Sequence, residues 1–359
     1  MHFYFEEAEK WAEYKESVFR QINRSGLPLV LFGKTSVVDN VFLQQIKVPV
    51  QFICDNNREK WGTKLWGLDV IDPARLQRLY TEYNVLILVP FEHQIIPQLQ
   101  GLSTPPVEIF RLDLYFEEID NVAYFRSVQE DVAEIYYHLG DQESKDTYEA
   151  VLHYRMNRNP SFLSEIRLPR QTQYFPAVLG GKTFLGTDET FVDAGAFIGD
   201  TIKTFCRIVQ EKYRAIYAFE PDEENYKRLC KTCETIPKVT CNRAAVSDKT
   251  GEIRFVSDDS SSKADYAGGQ SVSADTLDSL LKNVSVSYLK MDVEGMECAA
   301  LRGAKRMIQE FHPKLAVCTY HSNSDMIEVP KTILQLDASY KLYFRHYTNA
   351  LVETVCYAV

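Results

Sequence analysis

The residues that could do chemistry fall in four short stretches of the 359-residue chain. The first is Asp193-Ala194-Gly195-Ala196-Phe197-Ile198-Gly199-Asp200-Thr201. A glycine just past a strand lets the backbone approach a ligand with no side chain in the way. Gly199 then allows a tight entry into a helix, whose first amides can receive polar or acidic ligand groups. A dinucleotide fingerprint places three glycines as G-x-G-x-x-G, and Ala196 stands at its middle position. Asp193, at the strand end, would repel a pyrophosphate but suits a ligand that carries an ammonium group. The second stretch is Tyr217-Ala218-Phe219-Glu220-Pro221. An acid at the end of the next strand, about 20 residues beyond the glycine loop, can accept both ribose hydroxyl protons. Together the two stretches predict a crevice that grips a positively charged nucleoside.

The third stretch is Tyr288-Leu289-Lys290-Met291-Asp292-Val293-Glu294-Gly295-Met296-Glu297, and the fourth is Tyr320-His321. Both follow apolar runs that read as strands. In open α/β sheets ligands bind beyond the carboxyl ends of strands, so Lys290, Asp292, Glu294 and His321 are expected to face one reaction space. Each stretch also has a purely structural reading: a generic turn, an acid at a helix start, a salt-bridged strand end, a core histidine. Their convergence at strand ends favours chemistry. Asp292, Glu294 and His321 match no standard ligand spacing, so no metal is expected.

These residues need strands and helices to position them. From Thr190 the apolar runs at Phe191-Val192, Ala215 to Phe219, Lys238 to Cys241, Val286 to Met291 and Leu315 to Thr319 alternate with helical patterns. That alternation predicts a parallel sheet covered on both faces. Tyr340 to Arg345 and Val352 to Val359 then predict a closing hairpin. Seven strands result. Ser257 to Ser273, rich in Ser, Asp and Gly, reads as a loop.

The N-terminal part repeats the alternation on a smaller scale. Residues 3 to 23 read as an amphipathic helix with Trp11, Tyr14, Val18 and Phe19 inward. Strand-like runs follow at Leu29 to Phe32, Val50 to Cys54 and Val85 to Val89, with helical patterns near 36–46 and 73–82. Tyr124 to Leu139 and Ser144 to Met156 read as two further helices. The fold class is therefore α/β: a seven-stranded doubly wound sheet at the C-terminus and a smaller Rossmann-like N-terminal domain. The expected boundaries are 1–120 for the N-terminal domain, 121–185 for a helical linker and junction, and 186–359 for the chemistry-bearing domain.

A formal net charge of -10 repels phosphate backbones, which argues against nucleic acid as a partner. The eight cysteines sit mostly in apolar runs, as expected of reduced thiols. Cys230 and Cys233 form a lone C-x-x-C with no second pair at zinc spacing. The start lacks the basic and apolar blocks of a signal peptide, and no apolar run is long enough to span a bilayer. A cytoplasmic protein with no membrane partner is expected.

The segment from Asp193 to Val359 resembles the FkbM family of methyltransferases. The matching pieces are Phe191 to Ala196, Phe219-Glu220-Pro221, Ala244 to Ser247, Thr276-Leu277-Asp278, Leu289 to Gly295, Tyr320-His321, Arg345-His346-Tyr347 and Glu353-Thr354-Val355. The resemblance implies S-adenosylmethionine (SAM) as cofactor and O-methylation of a small-molecule hydroxyl, such as that of a sugar. By position it implies that Asp193, Gly195 and Gly199 hold the methionine end, with Ala194, Asp200 and Thr201 beside them. It implies Glu220 on the ribose with Pro221 beside it, and Ala245 near the adenine; Asp292 also borders this cofactor site. It does not carry over a catalytic residue. An alcohol is a weak nucleophile at neutral pH, so a general base is sought among His321, Asp292, Glu294 and Lys290. In the N-terminal domain Phe32-Gly33-Lys34-Thr35-Ser36 stands where a glycine-rich loop is usual, which favours a structural or docking role. Two other readings stay open: a nicotinamide-dependent sugar oxidoreductase, and a non-catalytic partner-binding protein that keeps the fold.

Overall fold

The computed structural model describes residues 8–33, 40–89, 92–112, 121–157, 161–258, 261–264 and 270–359. The chain forms two compact units. The first takes Met1–Gln129, Glu149–Arg167 and Thr348–Val352; the second takes Glu130–Tyr148, Leu168–Tyr347 and Glu353–Val359. Residues 121–185 are thus shared between the units and form no separate body.

In the first unit a six-stranded sheet runs in the order β3-β4-β2-β1-β5-β6. Its strands are β1 (Leu29–Phe32), β2 (Val50–Cys54), β3 (Lys64–Leu65), β4 (Leu68–Ile71), β5 (Asn84–Ile87) and β6 (Glu108–Arg111). β1 is buried at every residue, as its uninterrupted apolar run requires of a central parallel strand. Its neighbours β2 and β5 are both parallel to it. The first helix spans Ala8–Ser25, and Val18, Phe19 and Ile22 bury its inner face. Trp11 and the stretch Lys34-Thr35-Ser36, both singled out in the sequence, lie outside the residues whose side chains are described. β3, β4, β6 and the helix Glu92–Gln100 carry weak apolar signals and were not expected.

The second unit includes a two-stranded ribbon, β7 (Val178–Leu179) and β8 (Lys182–Thr183). Its main strands are β9 (Thr190–Ala194), β10 (Ala215–Phe219), β11 (Val239–Asn242), β16 (Tyr288–Met291), β17 (Lys314–Cys318), β18 (Leu342–His346) and β19 (Thr354–Ala358). They form the expected seven-stranded sheet, in the order β11-β10-β9-β16-β17-β19-β18. The first five are parallel, and β19 pairs antiparallel with both β17 and β18 as the predicted hairpin. β9 is the third strand of the seven, and its two neighbours are β10 on one side and β16, the central strand, on the other. Strand order reverses at β9, which opens a crevice beyond the carboxyl ends of β9 and β16.

Phe191 of β9 packs at this junction. It stacks on Phe205 of the helix Asp200–Ile208 at 4.6 Å and on Tyr288 of β16 at 5.0 Å. Truncating such a ring to alanine costs about 3–5 kcal/mol. A four-stranded sheet, β12 (Ala245–Val246), β15 (Gln270–Asp275), β13 (Gly251–Asp258) and β14 (Ser261–Ala264), completes the unit. It corrects the expectation of a loop over Ser257 to Ser273. Hydrogen-bonded pairing between β13 and β14, and between β13 and β15, overrides a turn-rich composition. Residues 265–269 lie outside the described residues. The helix expected over Tyr124 to Leu139 is two, Asn121–Ser127 and Gln129–His138.

Several motif residues serve the scaffold rather than the crevice. Asp278 accepts the backbone N–H groups of Arg306 and Met307, at 2.7 and 2.9 Å, at the start of the helix Lys305–Phe311. Arg345 is buried and forks onto Asp141 and Ser144. The eight cysteines are free thiols. Among the described residues no helix is long and apolar enough to cross a membrane.

Candidate active site

The loop between β9 and the helix Asp200–Ile208 sits where three strand ends converge. Gly195 and Ala196 each donate to the carbonyl of Phe219, at 3.0 Å, tying the loop to the end of β10. Gly195 has φ +77°, and a Cβ there would stand 1.8 Å from the Asp292 carbonyl oxygen. Only a residue without a side chain fits between the loops after β9 and β16. Phe197 follows in a left-handed conformation, φ 47°, with its ring 48% exposed at the rim. Asp200 begins the helix, Thr201 follows, and Gly199 is its N-cap.

Glu220 closes the other side. Its Oε2 accepts the Phe197 N–H at 2.9 Å and its Oε1 accepts the Asp222 N–H at 3.0 Å. Each oxygen so used keeps acceptor capacity for one more donor. The residue is 6% exposed. Burial pushes its carboxyl up to about 7, against the pull of the two N–H groups. Pro221 directs the chain into the helix Glu223–Cys233, capped by Asp222. Glu220 N donates to Asn242 O at the end of β11. Ala245 lies just beyond in β12, buried, paired with Ala274.

Asp193 and Lys290 correct the sequence reading. They face each other across β9 and β16 in register. Asp193 Oδ1 lies 3.0 Å from Lys290 Nζ, with 0% and 2% side-chain exposure. Neither residue presents its charge to the crevice. Each stands one residue before the end of its strand, and their pairing follows from the register of β9 against β16, which no local sequence pattern reveals. Lys290 also donates to the Gly195 carbonyl at 2.7 Å, so the pair fixes the glycine loop from beneath. Burial raises the Asp193 carboxyl to about 6 despite Lys290. Asp193 and Lys290 thus brace the glycine loop through their ion pair and the bond to the Gly195 carbonyl.

Asp292 and His321 do meet, beyond β16 and β17. His321 Nε2 lies 3.4 Å from Asp292 Oδ1 and 3.4 Å from Glu294 Oε2. Its Nδ1 lies 3.1 Å from Glu297 Oε1. Burial would lower the imidazole, but Glu297 and Asp292 outweigh it and hold it well above its ordinary value. Asp292 accepts from Tyr320 at 2.9 Å and from Tyr174 at 3.1 Å. Burial works to raise it, yet His321, Lys290 and Tyr320 hold it well below the usual carboxylate range.

The sequence reading missed Glu297, Tyr174 and Glu353 as members of this edge. Glu297 was read as a helix-capping acid, and its Oε1 does accept the Val293 N–H at 2.9 Å. Glu353 is bonded by Gln173 and lies 3.0 Å from Arg170. Glu297 and Glu353 stood in quoted stretches but with no site role, and Tyr174 is 118 residues from Asp292 along the chain. Backbone strain marks the same edge. Tyr174, Glu294 and Glu353 all have left-handed φ, at 65°, 56° and 69°. Such strain collects at functional sites.

Residues 193–342 match the family model described as the methyltransferase FkbM domain, the family the motifs resemble. The chain is similar over 98% of its length to a solved methyltransferase FkbM from Methylobacillus flagellatus KT, with a TM-score of 0.66, 21% identity and 97% of that chain covered. It is also similar to fibrillarin from Aeropyrum pernix bound to S-adenosyl-L-methionine, with a TM-score of 0.34 and 13% identity over 50% of this chain and 70% of that one. A third match is an rRNA methylase from Streptococcus thermophilus, with a TM-score of 0.33 and 13% identity over 48% of this chain and 87% of that one. No curated protein matches the chain.

Proposed function

We propose, from the premise that residues 193–342 form a methyltransferase FkbM domain, that this protein transfers the methyl group of SAM to a small-molecule hydroxyl, such as that of a sugar. The observation that carries the reading is Glu220. It is a buried carboxylate fixed by two backbone N–H groups, beside a glycine whose bare backbone borders the same space. This fits a nucleoside whose ribose hydroxyls donate to Oε1 and Oε2. Gly195, Ala196 and the helix start at Gly199 to Thr201 would border the methionine end. Ala194, Asp193 and Lys290 support that loop from within. Pro221 and Ala245 would flank the ribose and adenine side.

SAM supplies a methyl group on a sulfonium, and the carbon–sulfur bond breaks as the carbon–oxygen bond forms. Holding the acceptor hydroxyl in line is the protein's main task, and such positioning can contribute about 7–11 kcal/mol. Asp292, pinned by Tyr174 and Tyr320, is suited to orient the hydroxyl. The hydroxyl becomes strongly acidic as the new bond forms, so a carboxylate of ordinary basicity suffices to take its proton. Glu294, with 27% side-chain exposure, is the most open carboxylate beside His321 and is the proposed acceptor. The division of labour proposed from the sequence places this chemistry in residues 186–359, in a cytoplasmic protein.

Calorimetry with SAM and with NAD tests the reading, followed by mass spectrometry of extracts incubated with labelled SAM. One SAM bound per chain and a singly methylated product are expected. Binding of NAD instead would favour an oxidoreductase. Binding of neither would leave a partner-binding protein, and both outcomes overturn the proposal.

A further inference from the structure

Asp292, Glu294 and Glu297 surround the His321 imidazole. Three carboxylates lie within 3.4 Å of one ring, which carries at most a single positive charge. Lys290 acts on Asp292 electrostatically, but its ion pair is with Asp193, and that of Arg170 is with Glu353. Buried negative charge without a counter-ion is costly, and proteins that keep it usually coordinate a cation.

Two further observations point to a ligand. Glu297 is 1% exposed, and its Oε2 has no hydrogen-bond partner among the described residues. The His321 side chain is 8% exposed, and neither ring nitrogen has an aligned hydrogen bond, although three carboxylates stand near it. One donor atom each from Asp292, Glu297 and His321 can be chosen so that all lie within 4.8 Å of one another. No sequence spacing announced this set, because Glu297 comes from the helix after β16 and His321 from the loop after β17.

We propose that Asp292, Glu297 and His321 bind one divalent cation of the Mn²⁺ type. Two carboxylate oxygens with one imidazole nitrogen suit a cation of intermediate hardness. Three protein donors leave coordination positions open towards the crevice. Its use there, which rests on the methyltransferase reading, is to hold the acceptor oxygen and ease loss of its proton to Glu294. Glu297, 1% exposed, would supply its unpartnered Oε2 to the cation from the protein side.

Mn²⁺ alone is the probe, added to the full chain without SAM and followed by electron paramagnetic resonance and calorimetry. One saturable site per chain is expected. Glu297→Gln and Asp292→Asn should each weaken it by at least about tenfold, since each removes one anionic donor. Gln at 297 can still accept from Val293 N, so circular dichroism should show an unchanged fold. Absence of saturable Mn²⁺ binding, or unchanged affinity in folded Glu297→Gln and Asp292→Asn, overturns the proposal. SAM binding measured without Mn²⁺ reports separately on the methyltransferase reading, so the two can fail independently.

Discussion

The two units build the same backbone frame at the same place and load it differently. In the first, Gly33 N donates to Cys54 O at the end of β2, and Asp55 N reaches Ile71 O at the end of β4. In the second, Gly195 N donates to Phe219 O at the end of β10, and Glu220 N to Asn242 O at the end of β11. Each frame thus has a glycine after its first strand and an acid after its second. Asp55 spends its carboxylate locally, on Asn57 N at 2.8 Å and beside Lys60 at 3.5 Å. Glu220, one methylene longer, also reaches across to the Phe197 N–H of the neighbouring loop. The comparison teaches that a shared frame does not make a site. The site arises where the acid is held by backbone with acceptor capacity to spare and no cation on it.

Four measurements can break or sharpen this contrast. The largest effect is expected from Gly195→Ala. Its new Cβ would collide with a backbone carbonyl that cannot swing away, whereas the Cβ of Gly33→Ala would meet the side chain of Val89. Urea unfolding should show a loss of several kcal/mol at position 195 and about 1–3 kcal/mol at 33, the range of an overpacked core. SAM binding should vanish only in the former. Equal losses would show that the two turns are equivalent.

Next comes Lys290→Met, which strands a buried Asp193 carboxylate. A loss of about 3–5 kcal/mol is expected, partly recovered in Asp193→Asn/Lys290→Met, and the same unfolding experiment reads both. Then Glu220→Gln should weaken SAM binding by about 1.5–3 kcal/mol, the worth of charged hydrogen bonds, while Asp55→Asn leaves it unchanged. Calorimetry on the two variants decides this.

The smallest effect is a pH slope. Glu220 accepts ribose donors through both oxygens only when ionised, and burial places its carboxyl at about 7. SAM affinity should therefore fall as pH drops below about 7, approaching tenfold per unit. The slope should disappear in Glu220→Gln. Affinity that rises on acidification would contradict the assignment.

Much of this was legible in the chain itself. Runs such as Leu29-Val30-Leu31-Phe32 and Ala215 to Phe219 are apolar without interruption because their strands are covered on both faces, so they declare themselves. Gly195 and Glu220 were legible for a similar reason, since a bare turn and a strand-end acid are local features at a fixed separation. β13 and β15 were not, because pairing between distant segments overrode a composition that favours turns. Nor was the pairing of Asp193 with Lys290, which depends on the register of β9 against β16.

The sequence by itself determined the seven-stranded frame, the glycine turn and the carboxylate after β10, because local periodicity and residue type encode them. Only the tertiary structure decided which acids face the crevice and which pair beneath it. It alone brought Tyr174, Glu297 and Glu353 to Asp292 and His321. The reason is that side-chain orientation and charge pairing follow from strand register and chain return, which no single stretch of sequence contains.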